Sequence, residues 1–124
     1  MLEMSKPSLR NFMGEGFYDG FSIAKATSEH ANILQHNLRD SDVRECIIHG
    51  ASPFRALMSG VREKGENYTC IIDGEPICMF GVNPIMDMMI GRIWLLGSYE
   101  IEKRGRKFIR WSQSVVNYYQ EKYY

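Results

Sequence analysis

Apolar positions along this 124-residue chain change period several times, and each change marks an element. Phe21, Ile23 and Ala26 begin a short strand, which Thr27 and Ser28 end with a helix-capping signal. Ala31, Ile33, Leu34 and Leu38 carry the helical segment that follows, to about Leu38. Asp40-Ser41-Asp42 supplies another cap, behind which Val43, Cys46 and Ile47 recur at i, i+3 and i+4 until Gly50 stops the helix. Ser52-Pro53 then sets a cap before proline at the first helical position, where a missing N–H costs nothing. Phe54, Leu57, Met58 and Val61 recur at i, i+3, i+4 and i+7, which predicts a helix closed by Gly65.

The period then shortens. Tyr68 to Ile72 and Ile77 to Phe80 are β-rich runs on either side of Asp73-Gly74-Glu75-Pro76, and Asp-Gly in that setting predicts a hairpin. Gly81 and Pro84 end the second run, and residues 84–91 form an oily, methionine-rich loop. Ile93 to Leu96 is nearly continuous in hydrophobicity, which predicts a central strand covered on both faces. From about Lys103 a helix runs towards the C-terminus, with Phe108, Trp111, Val115 and Tyr119 as one apolar stripe. The order β–α–α–α–β–β–β–α predicts an α+β fold, a mostly antiparallel sheet of about four strands packed with helices.

Two units follow from this pattern: an irregular arm over residues 1–20 and a folded domain over residues 21–124. Pro7, Gly14, Gly16 and Gly20 weaken any continuous element in the arm. Phe12, Met13, Phe17 and Tyr18 in the same stretch predict that it docks, on its own domain or on a partner.

Composition narrows the function classes. An apolar fraction of 44% and a charged fraction of 24% match a globular domain large enough to bury a core. Fifteen basic and fifteen acidic residues cancel, so no overall field draws the chain to nucleic acid, and near-zero charge favours life inside an assembly. No apolar run is long enough for a membrane span, and the N-terminus lacks a continuous apolar signal segment. Cys46, Cys70 and Cys78 are odd in number and lack CxxC spacing, which predicts reduced core thiols in a cytosolic setting.

Candidate chemistry is sparse. His30, His36 and His49 are scattered, with no pair at zinc-ligand spacing. No nucleophile elbow, Walker loop or dinucleotide fingerprint occurs. Asp40 and Asp42 suit helix caps better than acid/base catalysis. The segment from Arg92 to Trp111 stands apart, because a strand delivers a polar loop to a helix start bearing Lys103, Arg104, Arg106 and Lys107. Backbone N–H groups there, with Gly105 permitting close approach, would suit an anion. Glu100 and Glu102 would equally neutralise the basic groups, and contact with another protein or a nucleic acid is a third possibility.

Four ordered blocks carry a family likeness: Asn37-Leu-Arg-Asp-Ser-Asp-Val-Arg-Glu45, Asp73-Gly-Glu-Pro-Ile-Cys-Met-Phe-Gly-Val82, Trp94-Leu-Leu-Gly97 and Lys107-Phe-Ile-Arg-Trp-Ser112. Over about residues 22–124 they resemble the podovirus internal virion protein A family, short phage proteins similar to GNAT acetyltransferases. The resemblance implies a GNAT-like layout, with the basic helix on the cofactor side. Acetyl-CoA would then run along the fourth strand through Leu96, Gly97 and Ser98, with Arg104, Gly105 and Arg106 at its phosphates and Glu100 as the available general base. Arg104-Gly-Arg-Lys-Phe108 departs from the phosphate loop of GNAT enzymes, since it has one glycine, and Lys107 and Phe108 stand where small residues belong. A full GNAT-like fold also continues into a fifth strand after the helix, so the expectation is a fragment or a shortened domain whose sheet a partner completes. The leading expectation is therefore a catalytically inactive phage virion or morphogenesis protein, located in the virion or the host cytoplasm. It would use no cofactor and bind other virion proteins or a second copy of itself. An acetyl-CoA-dependent N-acyltransferase and a regulator of a host target are the alternatives.

Overall fold

The computed structural model describes residues 21–62, 66–84 and 91–123. The expected arm and most of the methionine-rich loop lie outside the described residues. β1 spans Phe21–Lys25 and α1 spans Ser28–Leu34. Thr27 caps α1 as its side chain accepts the His30 N–H. The helix ends before the predicted Leu38, because Leu38 instead forms a β-bridge with Ser98. α2 spans Asp40–Ile48, with Arg39 at its cap position and no side chain capping it. The cap expected from Asp40-Ser41-Asp42 is thus absent, and both aspartates bond elsewhere. α3 spans Pro53–Arg62, and Ser52 Oγ accepts the Arg55 N–H at 3.2 Å as its spacing predicts.

β2 (Glu66–Ile72), β3 (Glu75–Pro84) and β4 (Gly91–Gly97) follow, and α4 spans Glu100–Tyr123. The strands form one antiparallel sheet in the order β1-β2-β3-β4, so the fold is α+β. Asp73 (φ 52°) and Gly74 (φ 81°) both take the left-handed region, as the tight turn of the β2–β3 hairpin requires. Among the described residues, β4 is the last strand of the sheet rather than a central one. Its continuous hydrophobicity reports two covered faces: Ile93 and Leu95 pack on one side, Trp94 and Leu96 on the other. Coverage of both faces does not require a neighbour on both edges.

Helices cover each face of the sheet. On one, Phe108, Trp111, Val115 and Tyr119 of α4 pack on Cys70, Ile72, Cys78, Phe80 and Val82. Trp111 is the hub of that core, with its ring centroid 5.3 Å from Phe21, 5.2 Å from Phe80 and 5.2 Å from Phe108. On the other face, Ala31, Leu34, Cys46 and Leu57 of α1–α3 pack against Met79, Trp94 and Leu96. Cys46, Cys70 and Cys78 are free and buried, and burial pushes the Cys78 thiol well up, helped by its hydrogen bond with Cys70. Among the described residues, no helix is long and apolar enough to cross a membrane.

Candidate functional site

The β4 exit and the start of α4 hold the residues singled out for chemistry. α4 begins at Glu100, not near Lys103, so its first turn is acidic and Lys103 and Arg104 sit beyond it. The N–H groups expected to face an anion already have acceptors. Glu100 N–H bonds Ser98 Oγ at 3.2 Å, Ile101 N–H bonds the Ser98 carbonyl at 3.1 Å, and Glu102 N–H bonds the Tyr99 carbonyl at 3.0 Å.

The backbone of the exit is equally engaged. Gly97 N–H donates to Asp42 Oδ2 at 2.8 Å, and the Gly97 carbonyl accepts the Arg39 N–H at 2.9 Å. Ser98 N–H reaches the Ile77 carbonyl at 2.9 Å, and Tyr99 N–H reaches the Asn37 carbonyl at 3.2 Å. Leu96 lies in register with Met79 in the β3–β4 ladder. A side chain at Gly97 would collide with Ile101, so the helix start seats directly on the strand end.

Asp42 organises this region. Its Oδ2 also accepts Arg39 Nε at 3.0 Å and Nη2 at 2.8 Å, and the carboxylate is nearly buried. Asp40 accepts the Tyr99 hydroxyl at 2.6 Å, and that bond is the main cause of the raised Tyr99 pKa. The Asn37–Asp42 segment therefore straps the β4 exit. In the sequence the acids of this segment fit local caps, whereas in the fold they bond across to β4 and Tyr99. The usable signal was a linker carrying more polar groups than one helix start consumes.

Glu100 pairs with Lys103 at 3.2 Å and with Arg104 at 3.4 Å, which realises the self-neutralised arrangement. Gly105 and Arg106 continue along α4, and the Arg106 side chain is not among the described groups. An open cleft of about 410 Å³ lies beside this turn, between the β2–β3 hairpin and the α4 start. Asp73, Glu75 and Glu100 line it together with Arg104, Ser98 and Tyr99. Three carboxylates against one guanidinium make poor surroundings for a pyrophosphate. Among the described residues, no three His, Cys, Asp or Glu side chains gather as a metal site would need.

No family model, curated protein or solved structure matches the chain.

Proposed function

We propose that this chain is a phage virion-associated or morphogenesis protein with a GNAT-like, catalytically inactive fold that acts through protein–protein contacts. The sequence resemblance supplies the phage setting, and a meander of four strands with helices on both faces is compatible with the layout it implies. One observation carries the inactive reading. The backbone at Gly97 and Ser98, which acetyl-CoA would have to use, is bonded within the chain to Asp42, Arg39 and Ile77. Displacing those bonds would uncover a buried carboxylate beside Arg39, a cost that a weak ligand does not offset. Glu100 is similarly committed to Lys103 and Arg104. Ile47 and Ile48, exposed side by side at the end of α2, offer apolar area to a protein contact.

Calorimetric titration of the full chain with acetyl-CoA tests the inactive reading. No binding heat is expected, and one-site binding in the micromolar range would overturn it. The phage reading is tested separately, by detecting the protein in purified particles or assembly intermediates of the encoding phage. Its absence from both would remove the virion role while leaving the ligand result intact.

A further inference from the structure

α1 has seven residues, too few to be stable without tertiary support. Its first turn is held reciprocally: Thr27 Oγ1 accepts the His30 N–H at 3.2 Å, and His30 Nδ1 accepts the Thr27 N–H at 3.3 Å. The same Nδ1 lies 2.8 Å from the hydroxyl of Thr69, a fully buried β2 residue. A ring nitrogen that accepts a backbone N–H carries no proton of its own. The Thr69 hydroxyl must therefore donate to it, and the proton of the neutral ring sits on Nε2.

We propose that His30 is a pH-sensitive latch on α1: the neutral ring accepts the Thr27 N–H and closes the first turn of the helix, and protonation takes that bond away. An imidazolium carries a proton on both nitrogens. The proton on Nδ1 would face the Thr27 N–H, turning one bond into a donor–donor clash, and would force the Thr69 hydroxyl to rotate and accept. Ala31, the next residue, and Leu34, one turn further on, are fully buried in the core beneath α1–α3, so the turn that loses this bond is the one that leads into that core.

The electrostatics agree with the geometry. Burial lowers the His30 pKa, and Glu29 in the same turn partly opposes it by raising it. Lys25 on β1, Arg55 and Arg62 on α3, Glu66 on β2 and Glu75 on β3 are the charged residues of the neighbouring elements. Among the described residues only Glu29 acts on the ring by its charge. An unfolded histidine titrates near pH 6.5 and the folded ring titrates lower, so between the two values the unfolded chain binds the extra proton. The stability His30 supplies is thus complete above about pH 6.5 and is lost as pH falls through the folded value. The latch stands independently of the virion role.

Nitrogen-detected NMR of the full chain tests it, with a pH titration of the imidazole resonances and amide hydrogen exchange corrected for its intrinsic pH dependence. The expected result is a neutral ring unprotonated at Nδ1, with a titration midpoint below about 6.5. Exchange at the Thr27 and His30 amides should accelerate once the ring is protonated, while Trp111 and Val115 keep their protection. A proton on Nδ1 of the neutral ring, a midpoint at or above that value, or unchanged exchange after protonation would overturn the latch. His30→Gln, which does not titrate, should flatten the acid side of the melting-temperature profile, and an unchanged slope would also count against it. Should that variant fail to fold, the wild-type titration decides alone.

Discussion

The two faces of the sheet are held by different means. The α4 face is one long helix whose stripe of Phe108, Trp111, Val115 and Tyr119 drops into an aromatic and aliphatic core. The α1–α3 face has three short helices, and polar bonds pin its layers together. Trp94 Nε1 donates to Asn67 Oδ1 at 3.0 Å, Thr69 meets His30 at 2.8 Å, and Asp42 receives Gly97 at 2.8 Å. Short helices bury too little area each to set their own positions, so directional bonds do part of that task. Buried area stabilises the first face, whereas the second also depends on geometry and, through His30, on protonation.

The largest test of that contrast removes area. Trp111→Ala should cost about 3–5 kcal/mol, measured by denaturant unfolding, because the ring is buried among Phe21, Phe80 and Phe108. A loss below about 1 kcal/mol would mean that the aromatic cluster is not the centre of the fold. Next, Asp42→Ala should cost about 1.5–3 kcal/mol, since it removes a charge-assisted acceptor from Arg39 and strands the buried Gly97 N–H. Asp42→Asn, which keeps an acceptor of the same shape, should recover part of that loss. If both variants were neutral, the strap on the β4 exit would be incidental.

What was legible in the chain follows the same division. Interactions written as a period were readable: the α4 stripe, the α3 face and the Asp73-Gly74 hairpin all stand as predicted. Interactions made by single polar side chains across long sequence separations were not. Asp42 resembled a cap because caps are the commonest local use of aspartate, and nothing near it in sequence announces Gly97. Likewise, the basic run points to an α4 start near Lys103, while the acidic Glu100 and Glu102 fill the first turn that the macrodipole favours. The strand reading of β4 was right in kind and wrong in position, because hydrophobicity records faces and leaves edges unrecorded.

A smaller test asks whether one polar bond on the α1–α3 face matters apart from packing. Trp94→Phe keeps an aromatic ring but removes the indole N–H, leaving the buried Asn67 oxygen without that donor. The expected cost is about 1–2 kcal/mol, and Asn67→Leu added to it should give less than the sum of the two single effects. Strict additivity would show that the two side chains do not act as a pair.

The smallest expected effect lies at Glu100, in the first turn of α4. Its pairs with Lys103 and Arg104 are partly exposed, at 40% for the glutamate and 70% and 30% for its partners. Such pairs contribute about 0–1 kcal/mol, and a carboxylate in the first turn gains a further fraction from the helix dipole. Glu100→Gln should therefore lower stability by no more than about 1 kcal/mol at low salt. The difference should shrink further in about 1 M salt, where the screening length is near 3 Å. A loss that persisted in salt would mark Glu100 as held in a drier, more demanding setting than its exposure indicates. That result would bring back the acid/base role which its two ion pairs now argue against.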